Sequence, residues 1–407
     1  MKRFNNRVVQ NVAQAYQTIS SARKPVASTD MGSMNTSSSA SSHYKTPTSP
    51  SGVPLSKILS NTFPLAVSDS FRHYLRRNKL DQIQHELLSI LPFYPNPTNS
   101  HKAQVVKTMI DDKNNYINEL HIAPANIQSN KHVVFIHGYG AGLGFFVKNL
   151  QDLAVRKPDW HIHAIDLLGY GCSSRPKFPY HEPNASYPKI ESWFVESLKT
   201  WFDRRGLNHD NTMVVAHSMG AYLSALTNFK YPELFNKLLL VSPAGVFSSR
   251  QPQVPPWFDK LWNKNVSPFA LVRNAGPFGS YLTSGWTSRR FSKSFSVLNA
   301  EEQKLMHLYT YAIFNARGSG EYMLNYMLAP GGIPRNPLLY RIDQLNCDSY
   351  WYYGSYDWMD KTGGLAACKK LRAKGLRADM TIVEDSGHHL YFDNLDKFNS
   401  LVADEMK

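Results

Sequence analysis

The chain has 407 residues, room for one large domain with insertions, and its 42% hydrophobic and 19% charged content is that of a globular protein. The formal charge of +14 favours anionic partners, but no basic base-reading helix, zinc-ligand spacing or RNA-binding aromatic run is present, so nucleic acid is not expected. Three widely spaced cysteines (Cys172, Cys347, Cys368) make no disulfide framework, and no apolar run is long enough to span a bilayer.

The N-terminus has a composition of its own. Residues 1–29 contain no Asp or Glu and carry Lys2, Arg3, Arg7, Arg23 and Lys24. At helical spacing Phe4, Val8, Val12, Tyr16 and Ile19 fall on one stripe. A basic, amphipathic, acid-free start predicts a mitochondrial targeting segment over residues 1–24; the plainer reading is a basic tail that touches membranes. Residues 25–60, rich in Ser, Thr and Pro, bury too little apolar surface to offset chain entropy and read as a disordered linker.

Residues 61–100 form an N-terminal helical region. Within it 69–91 reads as one amphipathic helix (Phe71, Leu75, Leu80, Ile83, Leu87, Leu88, Leu91), stopped by Pro92 and Pro95. Packing of that stripe on the core is the expectation; a basic helix lying on a membrane is the other reading.

From residue 101 to 245 short β-branched runs take over: Val105-Val106, Tyr116-Ile117, Val133 to Ile136, Ile162 to Ile165, Val214-Val215 and Leu238 to Val241. Helical stretches alternate with most of the later runs, as in a parallel sheet with crossover helices. The pattern lapses over 246–340, which is rich in Trp, Phe, Tyr and Met and carries Lys260, Lys264, Arg273, Arg289, Arg290 and Lys293. We read it as an inserted helical cap. Strand signals return over 341–407 at Tyr350 to Tyr353 and Met380 to Val383.

The chemistry centres on Met213-Val214-Val215-Ala216-His217-Ser218-Met219-Gly220-Ala221. An apolar strand ends in a serine flanked by small residues, and a helix follows. This is a strand–turn–helix with a nucleophile at its apex, except that the usual first glycine is Ala216. Such a serine needs a base, an acid and an oxyanion hole. The turn His137-Gly138-Tyr139-Gly140-Ala141-Gly142 follows a strand, so the N–H groups of Tyr139 and Met219 are the expected oxyanion donors. Asp357 is the expected acid, with Asp360 second. His388, after a glycine, is the expected base, with His389 second. The order Ser218, Asp357, His388 and the strand pattern together predict an α/β-hydrolase fold: a mostly parallel sheet flanked by helices, with an inserted cap. His217 reads as a packed neighbour. No metal site or other cofactor is expected, since His161-Ile162-His163 alternates on a strand with no third ligand suggested nearby.

Several linked motifs carry a resemblance through most of residues 80–400. They are Phe135 to Gly142, Asp166-Leu167-Leu168-Gly169-Tyr170-Gly171 with Ser174-Arg175-Pro176, Trp193 to Ser197, His217 to Gly220, Leu240 to Gly245, and His388 to Asp393. The chain resembles the eukaryotic α/β-hydrolase branch that contains lysophosphatidic acid acyltransferases and fungal mitochondrial cardiolipin-specific deacylases. The resemblance implies phospholipid as substrate, with the bases of the cap facing lipid phosphates, an anionic membrane surface as partner, and acyl-CoA and lysophospholipid as further reactants. It also marks His388 and Asp393 as an H-x4-D pattern associated with acyl transfer.

One histidine does not readily serve two active sites. Asp393 therefore reads either as a residue that positions an acceptor lysolipid or as a carboxylate that fixes the loop bearing His388. The expected activity is deacylation through an acyl-enzyme on Ser218, with transfer as a minor branch, peripheral on the mitochondrial inner membrane; cytosol or lipid droplet is the other location. The rival readings are an esterase or peptidase for soluble substrates and a lipase-regulating lipid-binding scaffold.

Overall fold

The computed structural model describes residues 65–179, 187–249, 254–291 and 297–407. The expected targeting segment (1–24) and linker (25–60) lie outside the described residues.

Two helices lead in, α1 (Val67–Arg76) and α2 (Leu80–Leu88). The single helix read over 69–91 is broken between them. There the backbone tightens to i→i+3 bonds, Arg77 to Tyr74 (3.4 Å) and Lys79 to Arg76 (2.8 Å). Only α2 meets the expectation of core packing: Ile83, Leu87 and Leu88 are buried, whereas Val67, Phe71 and Leu75 of α1 face solvent.

The frame is an eight-stranded sheet in the order β1-β2-β4-β3-β5-β6-β9-β10. β1 (His101–Met109) and β2 (Tyr116–Pro124) form an antiparallel hairpin. The Asp111 carboxylate shapes its turn by accepting the N–H groups of Lys113 (2.9 Å) and Asn115 (3.0 Å). From β3 (His132–Ile136) the chain crosses by α3 (Val147–Arg156) to β4 (His161–Ile165). It then runs by α4 (Tyr187–Arg205) to β5 (Thr212–His217), and by α5 (Met219–Lys230) to β6 (Lys237–Val241). β3 to β6 pair in parallel, and β2 joins β4 antiparallel.

Both faces of the central strands β3, β5 and β6 are covered, so these read as near-continuous apolar runs. The period of two divides each strand between two cores. Val133, Phe135, Met213, Val215, Leu239 and Val241 join one cluster; Val134, Ile136, Val214, Ala216, Leu238 and Leu240 join the other.

Between β6 and the next sheet strand lies the cap. It holds α6 (Pro256–Asn263), α7 (Ala270–Asn274), α8 (Gly279–Phe291), α9 (Ala300–Asn315) and α10 (Leu324–Met327). A small hairpin of β7 (Leu328–Ala329) and β8 (Ile333–Pro334) follows. α9 starts with a reciprocal cap: Asn299 Oδ1 accepts the N–H groups of Glu301 and Glu302 (both 3.0 Å), and the Asn299 N–H donates to Glu302 Oε2 (2.9 Å). Such a cap contributes about 1 kcal/mol. It anchors the helix that buries Met306, Tyr309, Tyr311 and Phe314.

Two cap bases expected to face lipid point inward instead. Arg273 pairs with the buried Glu321 (2.6 Å) and donates to Ala316 O (2.8 Å). Arg290 has its Nε and Nη2 buried. The chain rejoins the sheet at β9 (Asp348–Gly354) and crosses by α11 (Lys361–Ala373) to β10 (Ala378–Val383). It ends in a single-turn helix α12 (Leu390–Asp393) and α13 (Leu395–Glu405).

Candidate active site

Ser218 caps β5 and opens α5 with φ 54° and ψ −114°, a conformation that a non-glycine residue holds only when its surroundings impose it. Three backbone bonds do so. The Ser218 N–H donates to Val241 O (2.9 Å), and its carbonyl accepts from Tyr222 (3.2 Å) and Ala244 (3.1 Å). Two small residues make room. A Cβ on Gly220 would meet His137 O at 2.4 Å. Ala216 is fully buried between its sheet partners Ile136 and Leu240, so alanine serves at this elbow where glycine is usual.

Asp357, His388 and Ser218 come together in a continuous relay. His388 Nδ1 lies 3.0 Å from Asp357 Oδ1, and His388 Nε2 lies 3.0 Å from Ser218 Oγ. Asp357 Oδ1 also accepts the Met359 N–H (3.1 Å). Burial alone would raise the Asp357 carboxyl; the charge and hydrogen bond of His388 override it and hold the carboxyl below its usual value. An ionised Asp357 requires the proton on His388 Nδ1, leaving Nε2 as acceptor for the serine hydroxyl. Asp360 instead caps α11, accepting the Thr362 N–H (3.0 Å), and so is not the acid of this relay.

The loops bearing acid and base are laced together. Tyr356 N–H donates to Ser386 O (2.8 Å), and a Cβ on Gly354 would meet Gly387 O and Ser386 O at 2.3 Å each. Asp393 Oδ2 accepts the Gly387 N–H (2.8 Å). Asp393 thus holds the loop bearing His388, the geometry that the second of its two expected roles requires.

His217 does more than pack. Its Nε2 lies 2.8 Å from His388 O, and burial drives its pKa well below the ordinary value. The neutral ring donates Nε2–H to that carbonyl and braces the base from behind. His389, the second candidate for the base, packs its ring against His217 (4.8 Å) and Tyr391 (5.6 Å).

The oxyanion loop is set by His137, whose role the sequence did not reveal. Burial keeps its imidazole neutral. Its Nδ1 donates to Gly138 O (2.8 Å), and its Nε2 accepts the Leu167 N–H (3.1 Å). In a planar trans peptide the Tyr139 N–H points opposite to that anchored carbonyl. The loop lies against the nucleophile, for a Cβ on Gly138 would meet Ser218 Cβ at 2.9 Å. The Met219 N–H is the first of α5, where N–H groups have no intrahelical acceptor. The Asp166 motif is scaffolding: its carboxylate accepts from Leu143 N (2.8 Å), Cys172 N (2.8 Å) and Asn118 Nδ2 (2.9 Å).

The cap closes over this loop with aromatic rings. Phe269 stacks on Tyr139 (5.4 Å) and on Phe314 (4.4 Å). Trp358 lies 5.2 Å from the His388 ring. Arg290 sits in the same neighbourhood, its pKa lowered by burial and raised by Asp393, Tyr391 and Asp357; its Nε and Nη2 have no hydrogen-bond partner among the described residues. A hollow of about 480 Å³ elsewhere, bordered by Lys79, Tyr116, Cys172 and Arg175, contains none of the triad residues.

One expectation is corrected. His161 and His163 do have neighbours of ligand type: His121, His132 and Glu119 gather with them. The sheet brings these together, because β2, β3 and β4 are adjacent while their residues are distant in sequence. Glu119, His121 and His163 could hold a cation. The Arg205 guanidinium already serves there, with Nε 2.9 Å from Glu119 Oε2 and Nη2 3.3 Å from His121 Nδ1. We assign the cluster a structural role.

A serine at a strained strand–helix turn, relayed to a histidine and an aspartate from the last two sheet strands' loops, is the arrangement of the α/β hydrolases. The description "alpha/beta hydrolase fold" matches residues 131–395, and the chain belongs to that family. It is similar to the 1-acylglycerol-3-phosphate O-acyltransferase of Arabidopsis thaliana, 34% identical over 284 residues; the match covers 66% of this chain and 65% of that protein, less than two thirds of its length. It is 30% identical over 291 residues to the human 1-acylglycerol-3-phosphate O-acyltransferase ABHD5 (69% of this chain, 78% of that protein). It is 32% identical over 288 residues to the mouse (lyso)-N-acylphosphatidylethanolamine lipase (67% and 78%).

These relatives set the chain in a lipid-related branch of the family. Among solved structures, a membrane phospholipase A described as a bacterial virulence factor shares the fold at TM-score 0.52 and 18% identity, covering 83% of this chain and 93% of that one.

Proposed function

We propose that this protein is a serine-dependent acyl hydrolase of phospholipids, of the cardiolipin-deacylase or phospholipase kind. The observation that carries the reading is the Ser218–His388–Asp357 relay, with both contacts at 3.0 Å. The lipid class is supported by the names of the relatives, an acyltransferase for acylglycerol phosphate and a lipase for N-acylated phosphatidylethanolamine.

In this reading Ser218 Oγ attacks the acyl carbonyl while its proton passes to His388 Nε2. Asp357 holds the Nδ1–H and stabilises the imidazolium. The Tyr139 and Met219 N–H groups receive the tetrahedral oxyanion. On collapse the ester C–O bond breaks, and the alcohol half leaves with the proton from His388. Water then attacks the acyl-enzyme by the same steps in reverse and releases the fatty acid. A lysophospholipid hydroxyl arriving instead of water gives acyl transfer, with acyl-CoA as an alternative donor. None of these steps needs a metal or nucleotide.

We also propose a peripheral place on the mitochondrial inner membrane; the acid-free basic start of the chain supports the import that this requires. Purified protein, tested on phospholipid vesicles and on a soluble butyrate ester, separates the readings. Fatty acid released from vesicles supports ours. Turnover of the soluble ester alone supports an esterase, and lipid binding without turnover of either supports a scaffold.

A further inference from the structure

Helix α1 is inside out. Its face toward the protein is polar: Ser70 is fully buried, donates Oγ–H to Pro277 O (2.6 Å) and accepts the Tyr281 N–H (3.3 Å). His73 Nδ1 meets Ser280 Oγ at 2.8 Å. Its outward face is apolar at positions i, i+4 and i+8: Val67 is 56% exposed, Phe71 46% and Leu75 75%. Phe278 beside it is 56% exposed, its ring edge-on to Phe71 at 6.2 Å. Helix α2, a few residues on, buries its apolar stripe in the ordinary way. A surface helix that turns its hydrocarbon outward forgoes the gain from burial unless something else covers that face.

We propose that this face of α1, with Phe278, seats on an anionic phospholipid surface and lies in its interfacial plane. Charge selects that occupant. The helix and the turn after it carry Arg72, Arg76, Arg77 and Lys79; Asp69 pairs with Arg72 and Glu86 of α2 with Arg76, which leaves Arg77 and Lys79 without an ion pair among the described residues, in a chain of net charge +14. The Arg72 side chain is 71% exposed and Lys79 is exposed. An outward apolar stripe flanked by bases is the build of an interfacial helix.

The position suits the proposed reaction, on which this inference rests. α1 packs on the cap: Ser70 and His73 bond to the start of α8 and the turn before it. Further along α8, Trp286 packs on Phe314 (5.2 Å), Phe314 stacks on Phe269 (4.4 Å), and Phe269 stacks on Tyr139 (5.4 Å). The docked face and the oxyanion loop are therefore joined through α8 and the packed rings of Trp286, Phe314, Phe269 and Tyr139.

The test uses the full chain. Leu75→Cys is labelled with a polarity-sensitive dye; Cys172, Cys347 and Cys368 are buried and do not compete. Vesicles of phosphatidylcholine with phosphatidylglycerol should shift the dye emission to the blue and shield it from iodide. Pure phosphatidylcholine should do so less, and added salt should weaken the effect. Phe71→Glu and Leu75→Glu should each lower vesicle co-sedimentation by at least about tenfold and slow lipid turnover in vesicles, while hydrolysis of a soluble butyrate ester is unchanged. Ser218→Ala should bind vesicles as the unaltered chain does. Wild-type binding without any fatty-acid release would still uphold the docking face and would sink the catalytic reading alone. A dye already shielded before vesicles are added would show that the chain itself or a partner covers this face. Full vesicle binding by Leu75→Glu would likewise overturn the proposal.

Discussion

The carboxylate of Asp393 accepts the backbone N–H of Gly387 at 2.8 Å, one residue before His388. The second half of the H-x4-D pattern is therefore tied to the first through the main chain, and one loop carries both. Removing the carboxylate frees that loop, and displacement of a catalytic group by about 1 Å can cost on the order of 10²-fold in rate. Asp393→Ala is expected to lower ester hydrolysis and acyl transfer by similar factors, about 10- to 100-fold, with the protein still folded. The check is to measure both activities on the same preparation; loss of transfer with hydrolysis intact would give Asp393 a separate acceptor-binding role.

Gly354 offers a test from the opposite loop. The added methyl of Gly354→Ala would lie 2.3 Å from the carbonyl oxygens of Ser386 and Gly387, both backbone atoms with no side-chain freedom to yield. Overpacking of this kind costs about 1–3 kcal/mol. The variant should unfold at lower urea and lose most of its turnover, because the strain falls on the loop that carries His388. Unchanged turnover would show that the two loops are not held together as described.

The imidazoles carried by β2, β4 and β3 make stability depend on pH. Burial drives His121 and His132 down to about 3, and lowers His161 and His163 as well; Glu119 and Arg205 share the cluster. These rings stay neutral in the fold, whereas in the unfolded chain they take up protons near pH 6.5. Between those values the unfolded state binds more protons, so stability is full above about pH 6.5 and falls as the pH drops toward about 3. The urea midpoint should decline already between about pH 6.5 and pH 5, above the range where ordinary carboxylates protonate. His132→Phe should flatten the decline, and a midpoint constant over that window would refute the assignment.

Location can be tested without the folded domain. Residues 1–29 fused to a fluorescent protein should carry it to mitochondria, and replacing Arg3 and Arg7 by Glu should leave it in the cytosol. A cytosolic signal from the unaltered fusion would contradict the mitochondrial proposal.

What the sequence made legible follows from range. Strands such as Val133–Ile136 and Leu238–Val241 were readable because a doubly covered sheet demands continuous apolar runs. Ser218, Asp357 and His388 were readable because the fold fixes their order along the chain. His137 was not: its work is to anchor Gly138 O, and a histidine beginning a glycine-rich turn gives no sign of which carbonyl it holds. The histidine cluster was missed because its members lie on β2, β3 and β4, and strand adjacency is a tertiary fact. The orientation of α1 was misread because a helical stripe shows that one face is apolar and not which way that face turns.

In the proposed mechanism hydrolysis and transfer share one acyl-enzyme on Ser218. The most direct measurement follows fatty-acid release from phospholipid vesicles and acyl transfer from acyl-CoA to lysophospholipid side by side in the Ser218→Ala protein. Both should fall together, to the residual rate that binding and the oxyanion donors supply, on the order of 10³–10⁴-fold over water. Near-full turnover in either assay, and above all transfer that survives the loss of the serine, would contradict that mechanism.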